Sequence, residues 1–232
     1  MEEKTFVDDI NRSVYDIKNE ENDSYRIKQG LTPEIVEKIS EEKHDPAWMR
    51  EFRLKSLEIY NNMQVPDWGP SIDGLNMDNI ATYVRANTNM KGDWKDVPEE
   101  IKDTFDRLGI PKAERESLAG VGAQYDSELV YHNVRKEVAD QGVVYTDMES
   151  ALTGEYADMV HEHFMKLITP QDHKFAALHG AVWSGGSFVY VPPGVKVEIP
   201  LQSYFRLNAP GAGQFEHTLI IVDEGADLHF LE

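Results

Sequence analysis

Apolar positions recur at three- and four-residue steps through the first part of the chain and fall into short, turn-bounded runs towards its end. Thr32-Pro33-Glu34 predicts a helix start, a hydroxyl N-cap followed by proline at the first helical position. Ile35, Val36 and Ile39 then form one apolar stripe. His44-Asp45-Pro46 closes that helix and opens another, with Asp45 as the expected cap. Trp48, Met49, Phe52, Ser56 and Ile59 give its buried face, widened by Leu57 and Tyr60. Residues 65–79 read as an irregular loop with turns at Pro66, Gly69-Pro70 and Asp73-Gly74. Pro98 begins a helix carrying Ile101, Phe105 and Leu108, with Gly109 as its stop, and residues 111–120 predict a further short one. Tyr156, Met159, Val160, His163, Phe164 and Leu167 mark the last helix.

From Leu178 the period shortens. LHGAVWS, SFVYVP, VKVEIP, SYFRLNA, FEHTLIIV and DLHFLE read as strands. The corners between them are Gly185-Gly186, Pro192-Pro193-Gly194, Pro210-Gly211 and Glu224-Gly225. Corners at that spacing suit a β-solenoid, a sandwich or a barrel. Charge follows the same division: 20 basic and 35 acidic residues up to Leu167, and 3 and 7 after it. The last segment, Asp227 to Glu232, reads as a strand without a closing turn or polar cap. The expectation is a piece of a longer protein, or an apolar end layer covered by a second copy as a homodimer.

Composition narrows the chemistry. The net charge of −19 disfavours phosphate backbones and anionic lipid and favours a basic protein or a cation. The absence of cysteine excludes disulfides, thiolate catalysis and cysteine-bound metal within these residues. No apolar run approaches the ~20 residues of a membrane helix. The N-terminal stretch MEEKTFVDDINRSVYD is polar and acidic, unlike a secretory signal, so a cytoplasmic location is expected.

Two stretches carry a family resemblance. GVGAQYDSELVYHNV at 120–134 is one. The other lies within 175–232 and holds SFVYVPPGVKVEIPLQSYFRLNA and GQFEHTLIIVDEGADLHFLE. Together they resemble the SufB/SufD family of iron–sulfur cluster assembly scaffolds, and the YDSE and YFRLN blocks favour its SufB branch. The similarity extends over nearly all 232 residues and is strongest from 120 onward.

The resemblance implies an α+β fold. Its mainly helical N-terminal region spans 1–167, and the first rungs of a right-handed parallel β-helix span 168–232. It implies a scaffold rather than an enzyme, acting with a SufC-type ATPase, a SufD-type paralogue and a cysteine desulfurase with its sulfur carrier. The full-length complex would handle an iron–sulfur cluster, with reduced flavin as a second family cofactor; neither is expected on this chain. The family's glycine–cysteine motif follows an HFLE-like strand, and the sequence reaches only that strand.

The resemblance also assigns Arg206 and Asn208 to a sulfur path inside the β-helix. Strand alternation puts Tyr204, Arg206 and Asn208 on one face and Phe205 and Leu207 on the other. A permanently charged guanidinium within a coil suits an anionic persulfide or sulfide. Read from the residues without the family, the same face could simply meet solvent.

Other motifs carry less. His161 and His163 stand two apart on a helix and point too far apart to share one ion. His217 and His229, with Glu216 or Glu224, could meet across a rung in a cupin-like metal site, the main rival reading. A plain acidic interaction module is the third. Ser184-Gly185-Gly186-Ser187 lacks the spacing of a nucleophile elbow, and Gly120-Val121-Gly122 lacks the third glycine of a dinucleotide fingerprint. No P-loop occurs, so ATP hydrolysis would belong to a partner. Asp147 and Glu149, and Asp223 and Glu224, read as turn and capping carboxylates, and Trp48, Phe52 and Tyr60 as helix core.

Overall fold

The computed structural model describes residues 19–20, 22–69, 71–107 and 118–232. The N-terminal stretch 1–16, the helix end at Leu108-Gly109 and most of the helix expected over 111–120 lie outside them. The elements run β1 (Asp23–Arg26), α1 (Pro33–Glu42), α2 (Ala47–Asn62), β2 (Val84–Ala86), α3 (Glu99–Arg107), β3 (Gly120–Tyr125) and β4 (Glu128–Val134). They continue through α4 (Lys136–Ala139), β5 (Val144–Asp147), α5 (Met148–Thr153), α6 (Ala157–His163) and α7 (Lys174–Val182) to β6 (Ser187–Val191), β7 (Leu201–Arg206), β8 (Leu219–Val222) and β9 (Phe230–Leu231). Among the described residues no helix is long and apolar enough to cross a membrane.

The first helix forms as its sequence dictates. The Thr32 hydroxyl accepts the Ile35 N–H at 3.4 Å, Pro33 occupies the first turn, and Ile35, Val36 and Ile39 are buried. Asp45, however, does not cap α2, whose N-cap is Pro46. Its carboxylate instead meets Arg53 Nε at 2.6 Å, both side chains shielded from solvent. A desolvated guanidinium needs several acceptors. Arg53 therefore also donates to the Trp183 carbonyl at 2.8 Å, with its guanidinium 4.7 Å from the Trp183 ring.

The segment LHGAVWS is not a strand. Leu178 to Val182 complete α7, which the His173 side chain caps by accepting the Phe175 N–H. Its small residues serve close helix packing: a Cβ at Gly180 would lie 2.7 Å from Ser56 Oγ on α2. The first part of the chain also holds more strand than its helical pattern suggested, since β1 to β5 all precede residue 168. β3 is buried at every position, so it lacks the polar/apolar alternation that announces a half-exposed strand.

Two larger sheets face each other, ordered β4-β3-β7-β9 and β5-β6-β8, and β1 pairs with β2 beside α1. No closed barrel forms among the described residues. β3 and β4 make an antiparallel hairpin, and β5 pairs antiparallel with β6. The remaining pairings are parallel: β3 with β7, β7 with β9, and β6 with β8. Phe188 stands opposite Leu219, Lys196 opposite Asp227 and Leu201 opposite Phe230, so the chain lies on its own earlier course 31, 31 and 29 residues back.

Tyr145, Val189, Val191 and Leu201 fill the space between the sheets. The Tyr145 hydroxyl donates to the Gln202 carbonyl at 2.8 Å and sits 2.8 Å from Ser203 Oγ; burial pushes the phenol up to about 12. Its ring explains the hairpin glycines, because a Cβ at Gly122 would stand 2.7 Å from the Tyr145 hydroxyl. Ile220 and Val222 pair with Val189 and Val191 and share their inward face, yet remain 39% and 42% exposed on the edge strand. On the far side of β5-β6-β8, Phe188 packs with Trp183, Met148, Leu152 and Phe164.

His179 Nε2 and His217 Nδ1 meet at 2.7 Å between α7 and the segment leading into β8. A bond between neutral rings needs one nitrogen to donate and the other to accept. Burial, with the Arg53 charge nearby, lowers His179 from 6.5 to about 4. Burial first, then His179 and Arg53, lowers His217 from 6.5 to about 3. Between about pH 6.5 and about pH 4 the unfolded chain therefore binds protons that the folded one refuses. Stability should fall as the pH drops through that window, by up to about 1.4 kcal/mol per pH unit for each imidazole. Urea unfolding across this range should show a shallower slope for His217→Gln; equal slopes would contradict the account. Leu201 is fully buried and Leu207 is 38% exposed. Leu201→Ala should therefore cost about 2–5 kcal/mol, while Leu207→Ala should stay within about 0.5 kcal/mol, both read from denaturant midpoints.

Candidate functional site

β7 carries the YFRLNA block into the parallel sheet and ends at Arg206. Its register against β3 decides which way each side chain points. Gly122 opposes Ser203 and Gln124 opposes Phe205, and this face meets Tyr145 between the sheets. Ala123 opposes Tyr204 and Tyr125 opposes Arg206, on the other face. Tyr204 packs there with the cluster that includes Ile101 and Phe105 of α3. Half-buried Arg206 thus stands on the α3 side of the sheet, beside Tyr125, whose phenol burial pushes up to about 12 against the opposing pull of an Asn19 hydrogen bond and the Arg206 charge.

Asn208 lies just past the strand and is buried, while Leu207 between them faces solvent. Its carboxamide grips a piece of main chain: Oδ1 accepts the Asn19 N–H at 2.8 Å and Nδ2 reaches the Asn19 carbonyl at 3.5 Å. The Asn19 side chain in turn donates to the Tyr125 hydroxyl and to Thr104 Oγ1, each at 2.8 Å. Arg206 and Asn208 therefore belong to one locality, tied together through Tyr125, Asn19 and the adjacent turn.

That turn is Asp126-Ser127, joining β3 to β4, with Asp126 in the left-handed region at φ 55°. The Asp126 N–H donates to the Arg206 carbonyl at 2.7 Å. Its Oδ1 accepts the N–H groups of Asn208 and Ala209 at 2.6 and 2.8 Å. Burial raises the carboxyl above its ordinary range, and these two N–H bonds oppose the shift. Gln124 extends the arrangement, donating to the Asp126 carbonyl at 2.9 Å and accepting the Gly186 N–H at 2.8 Å. This approach requires glycine in the Gly185-Gly186 corner, since a Cβ at Gly185 would lie 2.2 Å from Gln124 Oε1. Sequence reasoning missed Gln124 and Asp126 as site residues. The available signal was two polar side chains, Gln124 and Asp126, directly after the small apolar run Ala119 to Ala123.

A second polar centre lies beneath. Lys43, at the end of α1, is buried and contacts Glu149 at 2.6 Å and Glu128 at 2.9 Å. Burial alone would lower the ammonium, but the two carboxylates outweigh it and hold it above its usual value. Burial likewise pushes Glu149 up, and Lys43 outweighs it to keep that carboxyl ionised. Glu149 also accepts the Gly185 N–H at 2.6 Å, and Glu128 accepts the Tyr83 hydroxyl. Glu149 is thus an ion-pair partner and not the capping carboxylate expected. Asp147 does cap, accepting the Ser150 N–H at 2.8 Å. Asp223 accepts the Tyr190 hydroxyl at 2.8 Å.

The histidines do not assemble as the cupin-like reading requires. His217 turns to His179, and the His229 carbonyl accepts the Leu201 N–H between strands. Among the described residues no three His, Cys, Asp or Glu side chains form a group able to hold a metal.

Comparison with known proteins bears on this geometry. The family model described as the SufBD protein N-terminal region matches residues 36–203. The iron-sulfur cluster assembly protein SufB of Bacillus subtilis is 54% identical over 224 residues, covering 97% of this chain and 48% of that protein. An iron-sulfur cluster assembly SufBD family protein of Staphylococcus aureus strain MRSA252 is 48% identical over the same shares. The chain spans about half the length of the curated relatives it matches. The matched region takes in the β3–β4 hairpin, the Gly185-Gly186 corner and the start of β7, and the chain belongs to the SufBD family through that family's N-terminal region.

Proposed function

We propose that the chain is the N-terminal part of a SufB-type scaffold for iron–sulfur cluster assembly, acting with a SufC-type ATPase and a SufD-type paralogue and receiving sulfur from a desulfurase or its carrier. The observation that carries this reading is the identity of 54% across 97% of the chain with a protein named for iron–sulfur cluster assembly. Within it, residues from Ser187 onward are the first rungs of a right-handed parallel β-helix. The near-constant displacement of 31, 31 and 29 residues between stacked partners supports that coil, and right-handed crossovers are the rule for parallel strands.

The chain's contribution is binding and passage. The cluster is cargo of the assembled complex, and a chain with no cysteine has no thiolate to offer it. Neither cluster nor flavin is assigned residues here. Arg206 meets the sulfur: its guanidinium offers planar donors to an anionic persulfide or sulfide. Asn208 fixes the wall beside it through its hold on Asn19. The acidic remainder of the chain, at net −19, suits partners with basic contact surfaces.

The test is cluster assembly in cells carrying the gene with Arg206→Ala or Arg206→Lys, read as activity of a cluster-dependent enzyme. Arg206→Ala should lower it about tenfold or more, the scale of a lost hydrogen bond to a charged group. Arg206→Lys should retain part, as a point charge without the planar fork. Normal assembly with Arg206→Ala would refute the role given to this residue.

A further inference from the structure

Arg206 is the last residue of β7, opposite Tyr125 of β3, and Leu207 to Ala209 beyond it belong to no helix or strand. A guanidinium aimed from the end of such a segment needs its backbone fixed from outside. The only described side chain that takes backbone N–H groups of both Asn208 and Ala209 is Asp126, and it does so with one oxygen. The same residue secures the segment's other end, its N–H donating to the Arg206 carbonyl at 2.7 Å. Asp126 is itself held. It is 1% exposed, it sits in the tight β3–β4 turn, and its carbonyl accepts from Gln124, whose amide is anchored on Gly186.

We propose that Asp126 is the positioning residue of the sulfur route, gripping the Arg206–Ala209 segment at three backbone points so that Arg206 is presented in one orientation. This rests on the reading of Arg206 given above. Asp126 touches no sulfur. It acts through the backbone of the residues that would. The left-handed φ of 55° favours Asp, Asn or Gly at this position, and among these Asp and Asn supply the accepting oxygen.

That restriction gives a clean pair of variants. Asp126→Gly keeps the backbone conformation and removes the carboxylate, while Asp126→Asn keeps an oxygen in the same place. In Asp126→Gly, amide hydrogen exchange at Asn208 and Ala209 should quicken about tenfold or more, as expected for losing a bond to a charged acceptor. The β4 amides should keep their protection, which shows that the hairpin still folds. Asp126→Asn should restore slow exchange at both amides. In cells, Asp126→Gly should lower cluster assembly, Asp126→Asn should rescue it, and Asp126→Gly combined with Arg206→Ala should be no worse than Arg206→Ala by itself. Unchanged exchange at Asn208 and Ala209 in Asp126→Gly would overturn the positioning role, as would losses that multiply in the double variant. Normal assembly with Arg206→Ala would instead remove the sulfur-route reading, while faster exchange in Asp126→Gly would still establish the grip itself.

Discussion

β6 is hydrogen-bonded along both edges, to β5 from earlier in the chain and to β8 from later, and β7 pairs along one edge with β3 and at Leu201 and Gln202 with β9. Buried backbone N–H and C=O groups must find partners, and strands with two paired edges find them along their length. The pairing also aligns side chains. It brings Tyr145 over Gly120 and Gly122, Ser187 to within 2.6 Å of Ser203 across the sheets, and Arg206 opposite Tyr125. A slip of one residue in β7 would carry Arg206 to the Tyr145 face, where Leu201 and Ser203 now sit in a closed core.

Polar groups reinforce this frame because burial makes them selective. Lys43 between Glu128 and Glu149 links the end of α1 to β4 and α5, and Arg53 links Asp45 to the main chain at Trp183. Such buried pairs contribute little net stability, since desolvation offsets most of the attraction, but a misplaced partner leaves an uncompensated charge. They penalise wrong arrangements of helices against sheets more than they strengthen the right one. Asp126 follows the same logic with neutral partners. Its buried carboxylate accepts the N–H groups of Asn208 and Ala209, and its own backbone N–H donates to the Arg206 carbonyl, so one residue fixes the neighbouring segment in one geometry.

The polar framework of Lys43, Arg53 and Asp126 lies within the part of the chain that matches the family. The described side chains supply ion pairs and backbone acceptors, and residues 36–203 match the N-terminal region of the SufBD family. The chain is acidic, at net −19, and the inward face of β8 stays partly exposed at Ile220 and Val222.

Some of this was legible in the residues themselves. Thr32-Pro33 began a helix because a hydroxyl cap and a fixed φ act locally. The runs SFVYV, YFR and LIIV became strands between glycine and proline corners for the same reason. The 120–134 hairpin block and the blocks within 175–232, YFRLNA among them, pointed to the family without coordinates. Tertiary structure decided the rest. LHGAVWS became helix because Gly180 and its small neighbours let α7 lie against α2, a contact that short-range pattern cannot see. Asp45 turned from a cap to Arg53, Glu149 from a cap to Lys43, and His217 from His229 to His179. Each of those choices depends on a charge or ring brought close by distant parts of the chain. Local sequence sets what a side chain can do, but only the packed fold determines which partner desolvation compels it to take.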